Sequence, residues 1–158
     1  MIAKLPETYI SQTAKLYNTD YQLWLLTTIK QLQKQDFSAV DWCDLIEELE
    51  GLAKQQQQEL ENRLIQLFEH LLKLAYWDSE REDNTRGWKG SIREQRKQIS
   101  RLLKKNPSLK PYLLEVFAEC YTDARDITID KTGLSSTIFP TQPIAKIEEV
   151  LDENWLPS

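Results

Sequence analysis

The sequence predicts an all-α protein of four main helices, packed as a bundle or as crossed hairpins, with short helical pieces at its ends. Three observations carry this. Only 4 Gly and 6 Pro occur in 158 residues, and long stretches contain neither. Apolar residues recur at spacings of three and four through several segments, the period of one helix face. No strand-like period-two alternation is sustained, although Ile127-Thr128-Ile129 is locally β-like. With 41% apolar and 28% charged residues the 18.6 kDa chain has material for one ordinary core, so 1–158 reads as a single helical domain.

The first helix is expected over 19–35. Thr19 and Gln22 have capping-box spacing, Asp20 favours the positive end of the helix dipole, and Tyr21, Trp24, Leu25, Thr28, Ile29 and Leu32 form its stripe. Ser38 and Asp41 open a longer pattern reaching about residue 77, with Leu45, Leu49, Leu52, Leu60, Leu64, Leu67, Leu71 and Leu74 as the apolar positions. Gly51 and the run Gln55-Gln56-Gln57-Gln58 interrupt that stripe. Unbroken, some 36 residues would extend on the order of 54 Å. The expectation is therefore a kink near Gly51, the other solution being a polar middle where two chains or two subdomains meet.

Residues 78–87 are so highly charged that they read as a loop. A third helix follows over 88–105, with Trp88, Ile92, Ile99, Leu102 and Leu103 facing inward, ended by Asn106-Pro107 because a residue before proline avoids the helical region. Ser108 and Pro111 open a fourth, whose stripe is Tyr112, Leu113, Val116, Phe117, Cys120, Tyr121 and Ala124, closed at Thr132-Gly133. A turn at 140–143 precedes a short helix over 144–151, and Trp155-Leu156 is expected to fold back as an apolar anchor.

Several functions are poorly supported. Cys43 and Cys120 are too few for a disulfide framework and read as reduced core residues. Residues 1–6 hold no apolar run of signal-peptide length, and no run approaches the roughly 20 residues of a membrane helix, so a cytoplasmic chain is expected. No nucleophile elbow and no phosphate-cradling glycine loop occurs, and no catalytic residue and no cofactor is assigned. Glu47, Glu48 and Glu50 with the single His70 invite a carboxylate–histidine metal enzyme. However, Leu67 stands where the Glu-x-x-His pattern needs Glu, and one histidine without a suitable cysteine spacing makes a poor zinc site.

Charge patterning is sharper. Net charge is −5, yet 86–105 holds eight cations against Glu94, a balance of +7. Residues 41–61 carry −6, and 115–153 another −6. The basic segment, with Arg93, Arg96, Arg101 and Trp88 as candidate contacts, could follow a phosphate backbone as a nucleic-acid-binding accessory. The competing reading is that the acidic segments neutralise it inside the bundle or across a dimer. Arg96 and Arg125, on or near apolar faces, are candidates for a partly buried pair with Glu47 or Glu48, in a polar network that includes His70. Trp42 and Trp77 flank the long helix, where an exposed indole would mark a partner surface. The favoured function is a small helical interaction protein that self-associates or binds a protein partner.

Particular segments also resemble a known family. Tyr17-Asn18-Thr19-Asp20-Tyr21 with Trp24, Asp41 with Leu45-Ile46-Glu47-Glu48-Leu49, His70-Leu71-Leu72-Lys73 with Tyr76, Trp88, Ile92-Arg93-Glu94-Gln95-Arg96, Pro107-Ser108-Leu109, and Tyr121 with Ala124-Arg125 are similar in order and spacing to DUF29, a mostly cyanobacterial family of unknown function. Leu74, Cys43 and Ala53 depart from its usual residues. The resemblance spans 17–158, leaving 1–16 as an N-terminal extension. It implies a helical fold and assigns no activity.

Overall fold

The computed structural model describes residues 16–158. They form α1 (Tyr21–Gln33), α2 (Trp42–Tyr76), α3 (Asp78–Lys105), α4 (Leu109–Thr132), a 3-10 turn (Ser136–Ile138) and α5 (Ile147–Leu151), preceded by a helical turn at 16–19. No strand occurs among the described residues. The chain divides into two compact units, with the boundary between Lys54 and Gln55.

The boundary falls inside α2, which is uninterrupted from Trp42 to Tyr76. The helix is not broken at Gly51. The glutamine run is helix-compatible, and the polar middle predicted from the stripe marks the junction of two units. A Cβ on Gly51 would meet nothing within 4 Å. Gly51→Ala is therefore expected to stabilise this stretch by about 0.5–1 kcal/mol, seen as slower hydrogen exchange of the surrounding amides. Faster exchange would mean that the glycine serves as a hinge.

In the first unit Asp20 caps α1, accepting from the Leu23 backbone N–H at 2.9 Å, one residue on from the Thr19 position expected. α1 ends in a Schellman turn. Asp36 N–H reaches Gln31 O, Gln35 N–H reaches Leu32 O, and Gln35 takes the left-handed conformation at φ 58°. Asp41 Oδ1 accepts from the Asp44 N–H at the start of α2. Trp24 is fully buried, and the Tyr17 ring meets it edge-on at 4.6 Å.

The second unit holds the core. From Leu60 onward the α2 stripe is buried, joined by Trp88, Ile92 and Ile99 of α3, by Leu113, Val116, Cys120 and Tyr121 of α4, and by Phe139 and Val150 from the C-terminal segment. Phe68 lies at its centre, edge-on to Phe117 at 5.1 Å and to Tyr121 at 5.2 Å. The burial that makes Cys120 an inert core residue pushes its thiol up to about 12.

Residues 78–87 are helical, against the loop read from their charge. Asp78 and Glu80 sit in the first turn of α3, where the helix dipole favours anions. Arg81 Nε and Nη2 donate to Leu74 O and Ala75 O, satisfying carbonyls at the end of α2 that have no helical partner. Only Trp77 separates the two helices, and its indole stacks on that of Trp88 at 5.8 Å. α4 closes as expected on left-handed Gly133, and the last helix is shorter than predicted, Ile147–Leu151.

Candidate functional site

The first unit leaves much apolar surface uncovered. Nine of the thirteen large apolar side chains that are exposed among the described residues lie between Tyr21 and Leu52. Four of them, Trp42, Ile46, Leu49 and Leu52, follow one another at spacings of four, three and three along α2 and are 40–55% exposed. Together they present on the order of 350 Å², within the range where the largest apolar patch of a monomer is often functional. Sequence reasoning placed Leu49 and Leu52 on a core-facing stripe. The spacing was read correctly, but here it faces solvent, because the core cluster of the second unit takes only the part of α2 from Leu60 on. Cys43, expected in the core, is exposed in the same turn of helix.

This stripe is bordered by acids. By the helical period Asp41 and Glu50 stand on its two edges, whereas Asp44 and Glu47 fall on the side of α2 that faces Tyr17. The Asp44 carboxyl is raised from its ordinary value, by partial burial first and then by Asp41 and Glu47. Its Oδ2 is buried without a partner. Glu48 accepts from Tyr17 Oη at 3.0 Å and from Tyr21 Oη at 2.5 Å. The bond to Glu48 leads the causes that push the Tyr17 phenol up to about 12.

The remaining candidates are dispersed. His70 Nδ1 is bonded to Gln66 O at 2.7 Å, one turn earlier on its own helix. Arg125 donates from Nε to Phe139 O and from Nη2 to Ser136 O, tying the C-terminal segment to α4. Arg96 Nε donates to Val150 O at 2.8 Å. The bidentate arginine–glutamate pair expected with Glu47 or Glu48 is not among the hydrogen bonds or ion pairs of the described residues, since both guanidiniums bind backbone carbonyls instead. No group of three or more His, Cys, Asp or Glu that could hold a metal converges among the described residues.

Of the proposed basic contacts, Trp88 and Arg96 are buried and do not belong to an open surface, whereas Arg93 and Arg101 are exposed. They fall in a row with Arg86, Lys89, Lys97, Lys104 and Lys105 at steps of mostly three and four, so α3 has a basic face along its second half. None of these seven cations has an ion pair among the described residues. The expected neutralisation of this helix by acidic neighbours is therefore not seen in the described residues.

Sequence reasoning missed two polar clusters. Glu69, buried in α2, accepts from Lys73 and Lys131 Nζ, both at 2.7 Å. Gln95 joins Gln66 at 2.9 Å and Arg63 at 3.3 Å, linking α2 to α3. The Glu69-to-Lys73 spacing was a legible signal; the partners on other helices were not.

The class that these elements define is an all-helical protein whose candidate sites are faces of helices. The chain belongs to the family described as Domain of unknown function DUF29, whose model matches residues 16–156. No curated protein and no solved structure matches it. No helix is long and apolar enough to cross a membrane, within the described residues.

Proposed function

We propose that the protein is a helical interaction module, whose exposed Trp42–Ile46–Leu49–Leu52 stripe receives an amphipathic helix of another protein with cations flanking its apolar face. The single observation behind this is that uncovered stripe with its acidic border. Covering about 350 Å² is worth roughly 9 kcal/mol gross. Association costs about 4–15 kcal/mol in lost rigid-body freedom, so the apolar contact needs help. Lysines or arginines opposite Asp41 and Glu50, on the two edges of the stripe, supply it and set the register. A second copy of α2 laid on the same stripe would set these acids against one another, which favours a different partner over self-association.

The test uses labelled 18-residue amphipathic peptides with one leucine stripe and Lys-, Ser- or Glu-rich flanks. The Lys-flanked peptide is expected to bind best. Ile46→Glu with Leu49→Glu should weaken it by about tenfold or more, and Leu114→Glu, exposed on the second unit, should leave it unchanged. Equal affinity for all three flanks, or indifference to the double substitution, overturns the reading. Light scattering that gives a dimer dissolved by the same double substitution replaces the partner by a second copy. Titration with single-stranded and duplex DNA in parallel covers the basic face. Affinity tighter than about 10 μM at low salt, removed by Lys89→Gln with Arg93→Gln, would make α3 the working surface instead.

A further inference from the structure

A cavity of about 420 Å³ opens beside the C-terminal half of α3, the turn into α4, and α5. Its polar lining is Arg96, Lys104, Lys110 and Ser100, and no acidic residue lines it. Ile99, Leu103 and Leu151 are among its apolar walls. Half of its eight lining residues are polar and half apolar, which at this volume suits a small molecule with a charged head and an apolar body.

Arg96 gives the cavity its character. It is only 3% exposed; its Nε donates to Val150 O, and its Nη2 is buried without a partner among the described residues. Burial lowers its pKa, opposed by the carboxylates of Asp152 and Glu153, which form no ion pair with it among the described residues. A guanidinium held out of water without a counter-ion is costly, and the same desolvation strengthens its attraction for any anion that reaches it. Lys104 and Lys110 are exposed and add two further positive charges to the cleft.

We infer that this cavity is a binding site for a small amphipathic anion, in which Arg96, Lys104 and Lys110 hold a carboxylate or phosphate monoester and the Ile99–Leu103–Leu151 wall covers its apolar body. Ser100 adds a hydroxyl donor to the anionic head. Asp152 and Glu153 compete for Arg96 from outside the cavity lining and weaken the site. The site is independent of the stripe on α2, so either assignment can fail alone.

Titration calorimetry with n-octyl phosphate and octanoate tests the inference, with inorganic phosphate and octanol as the two halves of the ligand. At least one amphipathic anion should bind with 1:1 stoichiometry, about tenfold or more tighter than either half. Which of the two binds better distinguishes phosphate from carboxylate. Lys104→Gln with Lys110→Gln, both exposed and without an ion pair among the described residues, should weaken it by about tenfold, and Asp152→Asn with Glu153→Gln should tighten it. The double change Lys89→Gln and Arg93→Gln, on the basic face away from the cavity lining, should have no effect. Arg96→Lys keeps the charge but loses the planar fork, and should reduce affinity while the protein stays folded by circular dichroism. Absence of binding below about 10 mM, equal binding of octanol, or loss of binding only in the Lys89/Arg93 variant would overturn the assignment.

Discussion

Phe68→Ala should lower the stability of the second unit by about 3–5 kcal/mol, a fall of roughly 10–20 °C in its melting temperature, whereas Leu49→Ala should change stability by no more than about 0.5 kcal/mol. Both residues belong to α2, and both occupy apolar positions of its pattern. Phe68 is fully buried between the rings of Phe117 and Tyr121, so truncation leaves a void that three helices would have to collapse to fill. Leu49 is 55% exposed and leaves no void. Differential scanning calorimetry of the two variants measures the contrast. A loss of several kcal/mol in Leu49→Ala would show that the first half of α2 is covered in solution, and a small loss in Phe68→Ala would contradict the core described above.

Glu69→Gln is expected to cost about 2 kcal/mol at neutral pH and to make the protein less sensitive to acid. Burial alone would raise the Glu69 carboxyl, but the hydrogen bonds from Lys131 and Lys73 outweigh it and hold the group below its ordinary 4.5. The folded state therefore binds the proton more weakly than the unfolded chain does. The stabilisation is fully present above the unfolded pKa and is lost as pH falls through 4.5 towards the lower folded value. Neutralising Glu69 leaves Lys73, itself largely buried, without its anion, while the mostly exposed Lys131 recovers hydration. Urea unfolding from pH 7 to 3 should give a steeper acid decline in the wild type than in Glu69→Gln. Parallel curves would assign the acid sensitivity to other carboxylates.

The periodicity of the chain was enough to place α1, α2 and α4 to within a few residues, because a helix that buries one face repeats its apolar residues at the helical period wherever it lies. It did not reveal which half of α2 is covered. Leu49 and Leu64 each have a leucine four residues before and three after, and the packing of α3 and α4 against only one of them separates their fates. Residues 78–87 failed for another reason. Charge density reads as a loop when burial is the criterion, but here Asp78 and Glu80 lie at a dipole end and Arg81 caps the preceding helix, both local effects that need no apolar face. The seven-cation row of α3 was legible as a composition; that it lacks counter-ions among the described residues was not. The cavity beside Arg96 had no sequence signature, since Leu151 reaches it from a segment distant in the chain.

The unbroken α2 has a consequence for how the chain opens. Its amides form one continuous ladder, but the resistance to breaking that ladder is unequal along it. From Leu60 on, rupture of a turn also unseats buried leucines, so exchange there is governed by cooperative unfolding of the second unit. Between Gly51 and Gln58, side chains are exposed or half-exposed, and each turn is held by little beyond its own backbone bonds. One helix of 35 residues thus holds two kinetic populations of hydrogen bonds, one opening by fraying in place and one only when a core melts.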